Sequence, residues 1–337
     1  MRILIVTIAN RHTSNTGLGR YYNKVSDILE NEGHEIIFFN HPTPLVTEKI
    51  TFSKTLVPIF SGVNSDRFGK VFVSLKPDAV HIQSETGLGV SARHFCLSNS
   101  IPYSSAYHTN WDIGMQYWLH MPPALVWAYL RWYYKPSTII HTATPRLREI
   151  LRSHGIENNI RTFPLGVDTD LFYPDPKPDL LCQYPRPFFM CLSRVAKEKN
   201  IKAFLDTDLP GTKFVIGNGP HKKFLQKKYA GKAVFLPYEN VRSILSIGDV
   251  FVFPSRFDTF GICNLEALAC GLPIASYPVM GPIDILEQGV SGYACENLRE
   301  AALACLSLNK EACIARAAHY TWEHTAHEFL KHQVLIE

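Results

Sequence analysis

A chain of 337 residues is about twice the size of an ordinary domain, so two domains are expected. With 46% apolar and 19% charged residues, it has material for two cores and is too hydrophobic for general disorder. The net charge of +4 is too small for a nucleic-acid footprint. It is also uneven. Residues 1–165 hold 16 Lys and Arg against 11 Asp and Glu, a basic bias compatible with an anionic partner or a membrane face. No uninterrupted apolar run is long enough to span a bilayer. The eight cysteines include no Cys-x-x-Cys pair, which points to buried reduced thiols, not to disulfides or zinc.

The opening segment Met1–Asn10 reads as the first strand of a cytosolic protein and not as a signal peptide, with the apolar run at Ile3–Ile8. The turn Thr16-Gly17-Leu18-Gly19-Arg20 leads into a helix over Tyr21–Glu32 that Gly33 ends. Its Gly-x-Gly lacks the third glycine of a dinucleotide fingerprint, so an oxidoreductase fits poorly. Strands follow at His34–Asn40, Ala79–Ile82, Tyr103–Tyr107 and Ile139–Ala143, with a helix at Val90–Ser98. This alternation predicts a parallel sheet covered by helices. Prolines 164, 174, 176, 178, 185 and 187 then crowd one stretch, read as a semi-rigid linker over 166–187. Beyond it come strands at Phe188–Ser193, Lys213–Gly217, Ala233–Leu236, Val250–Phe253 and Ile274–Tyr277, with helices at Val241–Ser246 and Cys263–Cys270. The expected architecture is α/β: two doubly wound Rossmann-like domains, 1–165 and 188–315, facing across a ligand crevice. A last helix within 316–337 is expected to pack back on the first domain.

The segment Val250–Ala275 carries the densest chemistry. A buried strand ends at Pro254-Ser255, a loop holds Asp258, and Phe260-Gly261 opens a helix containing Glu266. A helix N-terminus presents unpaired N–H groups and partial positive charge, a natural seat for phosphate. Glu266, about one turn further, is placed to accept hydrogen bonds from ribose hydroxyls, and Asp258 from those of a second sugar. An ordinary strand-loop-helix with a surface carboxylate fits the same spacing.

Asp258-x7-Glu266 followed by Gly271-Leu272-Pro273 resembles the E-x7-E segment of family-4 retaining glycosyltransferases of the GT-B fold. Gly166-Val167-Asp168 with Phe172 and Pro174, Arg194 with Glu198-Lys199, and Gly217-Asn218-Gly219-Pro220 resemble further motifs of that family, in the same order. Asp258 stands where the commoner residue is Glu. The resemblance implies that Arg194 and Lys199 grip the donor diphosphate while the amides of Ile262 and Cys263 complete its cradle. It implies too that Glu266 holds the ribose, that Asp258 holds the transferred sugar, and that Gly17, Gly19, Gly217 and Gly261 line the donor site. Preorganised cations and amides suit a reaction in which negative charge develops on a leaving diphosphate.

In the first half, Tyr107-His108-Thr109 ends a strand and resembles the family's His-Thr element, which implies that His108 contacts the transferred sugar. Glu85 lies at another strand end, as an orienter of the acceptor hydroxyl or as a helix cap. Trp111–Tyr134 is rich in aromatic residues and ends in Arg131 and Lys135. It reads as a core helix after Pro122-Pro123 with Trp127 and Leu130 inward, or as a segment resting in a bilayer interface, with Trp111 near the acceptor. The two Asp-Thr-Asp triplets, 168–170 and 206–208, and the pair His324 and His327 are not read as metal sites.

The expectation is a retaining hexosyltransferase that uses no metal or cofactor. It would take a UDP- or GDP-linked sugar to a hydroxyl on a lipid or glycan acceptor, in the cytoplasm or peripherally at the inner face of a membrane. A non-catalytic nucleotide-sugar-binding module and a nucleotide-sugar epimerase are the competing readings. No nucleic-acid partner is expected.

Overall fold

The computed structural model describes residues 1–8, 17–40, 65–177, 181–256 and 258–337. They form two compact units, Met1–Pro164 with Trp322–Glu337, and Leu165–Thr321.

The first unit alternates β1 (Arg2–Val6), α1 (Gly17–Asn31), β2 (Glu35–Phe39), α2 (Ser65–Leu75), β3 (Ala79–Ile82), α3 (Gly87–Ser98) and β4 (Ser104–Tyr107). It continues with α4 (Trp111–Leu119), α5 (Pro123–Tyr134), β5 (Ile139–Thr142), α6 (Pro145–Ser153) and β6 (Asn159–Thr162). Its sheet runs β2-β1-β3-β4-β5-β6, and every pairing is parallel. Ile3, Leu4, Ile5 and Val6 are fully buried, because helices cover both faces of a parallel sheet and leave no side of the strand for polar residues. α1 buries Tyr21, Tyr22, Val25 and Leu29 along one stripe, the helical period that brings residues three and four apart onto one face. Thr144 caps α6 by accepting from Leu147 N at 3.2 Å, with Pro145 in the first turn where its missing N–H costs nothing. The chain returns at its end as a helix (Trp322–Lys331) that packs on α1: Phe329 and Trp322 meet the Tyr21 ring, and Thr325 donates to Pro164 O at 2.8 Å.

The second unit holds β7 (Phe188–Leu192), a 3-10 turn (Lys197–Lys199), α7 (Ile201–Asp206), β8 (Thr212–Ile216), α8 (Lys222–Lys228), β9 (Val234–Leu236) and α9 (Val241–Ser246). Then come β10 (Val250–Phe253), α10 (Ile262–Ala269), β11 (Ile274–Ser276), α11 (Pro282–Ile285), β12 (Gly292–Ala294), α12 (Leu298–Cys305) and α13 (Lys310–Ala317). The final helix, α14, is the Trp322–Lys331 segment of the first unit. The second sheet is also parallel, in the order β12-β11-β10-β7-β8-β9. Strand order therefore reverses between β7 and β10, and in the first unit between β1 and β3. In open α/β sheets, the carboxyl ends of the strands at such a reversal border the ligand crevice.

The expected linker, from residue 166 on, lies with the second unit, while Pro164 ends the first. The linker is fastened to α9, where the Asp175 carboxylate accepts from Arg242 and Ser243 and Arg242 stacks over Tyr173 at 4.3 Å. Pro178 falls outside the described residues. Residues 316–321, expected with the returning segment, remain with the second unit, and the return to the first begins at Trp322. All eight cysteines are free thiols. No helix among the described residues is long and apolar enough to cross a membrane.

Candidate active site

The reversal between β7 and β10 places two loops side by side. The loop after β7 carries Arg194 and ends in the 3-10 turn at Lys199. The loop after β10 carries Asp258 and leads into α10. Asn200, in the left-handed region at φ 50°, donates from its side-chain amide to Pro254 O at 3.0 Å and ties the loops together. Lys199 Nζ then reaches Asp258 Oδ2 at 2.5 Å, with the two side chains 26% and 15% exposed. Burial pulls the Lys199 ammonium toward lower pKa, but the Asp258 charge and hydrogen bond outweigh it and hold the pKa above its ordinary value. Arg194 pairs with Glu198, one turn along.

Beside this pair, α10 begins at Gly261. No side chain caps the helix, in contrast to α12, whose Asn297 accepts from Arg299 N and Glu300 N. Gly261 sits at φ 81°, and a Cβ there would lie 2.6 Å from Asn264 Nδ2, so only glycine lets the backbone start the helix in this way. The first-turn amides of Ile262 and Cys263 thus meet no side-chain acceptor from the cap position. Glu266 is 2% exposed in the next turn. At the other flank, Gly217 follows β8, where a Cβ would stand 2.2 Å from Ser193 O. The close approach lets Val195 N reach Asn218 O at 2.8 Å and stitches the two loops together.

Asn264 was not anticipated. It is fully buried in the first turn of α10, and neither its amide nitrogen nor its oxygen has a hydrogen-bond partner among the described residues. A polar residue within Ile262–Ala269, otherwise apolar apart from Glu266, was the available signal.

The leading carboxylate of each Asp-Thr-Asp triplet serves the backbone or neighbouring side chains. Asp168 accepts from Asp170 N and Leu171 N at 3.2 and 3.1 Å, and Asp206 binds Lys202 and Tyr229. His327 pairs with Glu32.

In the first unit, Gly17 and Gly19 form the first turn of α1, and Thr16 lies outside the described residues. Trp111 opens α4. α5 divides the aromatic segment. Trp127 and Leu130 face inward, whereas Leu125, Tyr129 and Trp132 are 61%, 38% and 48% exposed on the outer face. Three tyrosines of α5, the buried Tyr133 and Tyr134 and, through its hydroxyl, the part-exposed Tyr129, grip the loop after β3 at the reversal point. Tyr133 donates to Ser84 O at 2.7 Å, Tyr129 donates to Glu85 O, and Tyr134 donates to Glu85 Oε1 at 2.6 Å. Burial raises the Glu85 carboxyl from 4.5 to about 7, and the Tyr134 hydrogen bond offsets only part of that rise.

Glu85 predicts a pH dependence of stability. Between about pH 4.5 and 7 the folded protein keeps a proton that the unfolded chain has released. The stability that Glu85 contributes is therefore greatest below that window and falls as pH rises through it, at up to ~1.4 kcal/mol per pH unit. It runs against the opposite slope from the buried His81, His108 and His141, whose lowered pKa values make stability rise with pH. Glu85→Gln should remove this falling term, so that stability from urea unfolding curves changes more positively with pH between about 4.5 and 7 in the variant than in the unaltered protein. Equal slopes in the two proteins would assign the proton to another group.

His108 follows β4, half-buried against the Tyr21 ring with centroids 5.2 Å apart, and burial lowers its pKa to about 4. The imidazole is therefore neutral at physiological pH.

Two family descriptions match the chain in succession: Glycosyltransferase Family 4 over residues 15–171 and Glycosyl transferases group 1 over residues 183–307. The chain is a family 4 glycosyltransferase of the group 1 type. A sulfoquinovosyl transferase of Arabidopsis thaliana is 27% identical over 68% of this glycosyltransferase, which spans about half (48%) of that relative's length. A GDP-mannose-dependent alpha-mannosyltransferase of Corynebacterium glutamicum is 28% identical over 91% of the chain and 78% of its own. Among solved structures, sucrose-phosphate synthase from Thermosynechococcus elongatus superimposes with a TM-score of 0.79 at 16% identity, covering 98% of this chain and 97% of that one. The fold is thus GT-B, with two Rossmann-like domains.

Proposed function

We propose that this glycosyltransferase moves a hexose from a UDP- or GDP-linked sugar to a hydroxyl acceptor, with retention at the anomeric carbon and without a metal ion. The observation that carries the reading is the Lys199 ammonium held against Asp258 beside the uncapped start of α10. A cation and a helix N-terminus together make an anion seat, and the adjacent carboxylate is a hydrogen-bond acceptor for sugar hydroxyls. On donor binding, Lys199 exchanges Asp258 for diphosphate oxygen, joined by Arg194 and by the amides of Ile262 and Cys263. The freed Asp258 takes hydroxyls of the hexose, and Glu266 those of the ribose. The acceptor hydroxyl attacks the anomeric carbon from the face that the diphosphate leaves. The bond from that carbon to phosphate oxygen breaks as the new glycosidic bond forms, and the departing phosphate oxygen takes the hydroxyl proton. The negative charge gathering on the diphosphate meets donors already in place, so little reorganisation is needed. A GDP-mannose-dependent relative supports a nucleotide-linked donor. The outward Leu125, Tyr129 and Trp132, flanked by Arg131 and Lys135, support an acceptor presented at a lipid surface.

A donor panel tests this. GDP-mannose or UDP-glucose should raise the melting temperature, as any ligand of the native state does, and should release nucleotide slowly without acceptor. Binding without turnover, even with acceptors supplied, would favour a binding module, and an altered sugar on intact nucleotide an epimerase. Transfer should survive EDTA. Strict dependence on added magnesium would overturn the metal-free mechanism.

A further inference from the structure

A chain of hydrogen bonds runs through the core of the first unit, and its direction can be worked out from one end. Gln333, beyond α14, donates its amide N–H to Phe329 O at 2.9 Å. A backbone carbonyl only accepts, so the amide orientation is set and Gln333 Oε1 is the acceptor for Ser104 Oγ–H at 2.9 Å. Ser104 has spent its one proton. Its oxygen must therefore accept from His81 Nδ1–H, 2.8 Å away. His81 is fully buried, and burial first, then the neighbouring His141 and His108, hold its pKa well below the ordinary value. It is neutral and carries a single N–H, so its Nε2 accepts the Tyr22 hydroxyl proton at 2.9 Å. The Tyr22 oxygen then has only lone pairs to offer His108 Nε2, at 3.5 Å, the long limit of a hydrogen bond.

We infer that this directed chain, Gln333 to Ser104 to His81 to Tyr22, fixes the tautomer of His108, with Nε2 protonated and Nδ1 left as an acceptor for a hydroxyl of the transferred sugar. The inference rests on the proposed hexose transfer and on the contact between His108 and the transferred sugar that the family resemblance implies. Tyr22, His81, Ser104 and Gln333 are positioning residues: they act through His108. The consequence is specificity by polarity. A bare Nδ1 rewards a hydroxyl donor and gives nothing to a group that can only accept. β3, β4, α1 and α14 are all drawn into holding one proton on one ring nitrogen.

Nitrogen NMR of histidine-labelled full-length protein reads the tautomer directly. His108 should show its proton on Nε2, and Tyr22→Phe, which keeps the ring and removes the oxygen, should yield a mixture of tautomers. A proton on Nδ1 in the unaltered protein, or an unchanged tautomer in Tyr22→Phe, would overturn the chain. With whichever of GDP-mannose or UDP-glucose is turned over, Tyr22→Phe should lower kcat/KM about 2- to 10-fold. It should cost nothing more on a His108→Ala background, and an equal further loss there would show that Tyr22 acts elsewhere. An undiminished kcat/KM in His108→Ala, with the NMR result as expected, would remove His108 from the sugar and leave the tautomer assignment standing.

Discussion

Lys199→Ala will lower kcat/KM for nucleotide release by about 10- to 150-fold, the range that follows from losing one charge-assisted hydrogen bond worth roughly 1.5–3 kcal/mol. Two effects add. The diphosphate loses a cation whose position is fixed by the Asn200 to Pro254 bond and by the Asp258 pair. Asp258, 15% exposed, also loses its paired cation and is left as an uncompensated carboxyl beside the anion seat. Lys202→Ala is the matched control. Lys202 pairs with Asp206 on the surface, both more than 40% exposed, and its loss should change kcat/KM less than twofold. If the two variants were equally active, Lys199 would not touch the diphosphate. An unchanged melting temperature for both would keep the comparison one of binding and not of folding.

The largest effect on stability is expected at Phe329. Its ring is fully buried and meets Tyr21, Tyr22, His81 and His141 at 5.0 to 6.5 Å between centroids. Phe329→Ala removes a buried aromatic side chain from among rigid neighbours, at a cost of roughly 3–5 kcal/mol. The loss can be assigned to one unit, because Trp111, Trp118, Trp127, Trp132 and Trp322 are all the tryptophans of the chain and all lie in the first unit. Urea unfolding followed by tryptophan fluorescence should therefore shift strongly to lower denaturant. Phe224→Ala, at a side chain 61% exposed in the second unit, should leave that transition where it was. A Phe329 variant with an unmoved fluorescence midpoint would mean that α14 contributes little to the first core.

Strands such as β1 and β7 were legible because a parallel sheet buried on both faces demands an unbroken apolar run, and their residues supply one. β6 (Asn159–Thr162) and β12 (Gly292–Ala294) were not anticipated. Each is a short edge strand, and an edge strand can hold its place by main-chain bonds with little apolar signature. Pro122-Pro123 marked the start of α5, but the same segment proved to be two helices with one outward apolar stripe, and periodicity over so many aromatics does not separate inner from outer faces. At the site, the helix start at Gly261 and the carboxylates around it could be read locally. The direct pairing of Lys199 with Asp258 could not, because it depends on β7 and β10 lying side by side. The Gln333 to Tyr22 chain was still further from reach, since Ser104 and Gln333 are 229 residues apart and meet only once α14 has folded onto the first unit.

That return of the C-terminal segment has a consequence for biogenesis. A ribosome emits the first unit's sheet early, yet the socket around Tyr21, Tyr22 and His81 lacks its plug until residue 329 emerges. The contiguous second unit, Leu165–Thr321, is fully translated before then. At about 5–20 residues per second, the gap between Pro164 and Phe329 amounts to roughly 10–30 s during which an earlier-made domain waits, unfinished, for a later one to be synthesised.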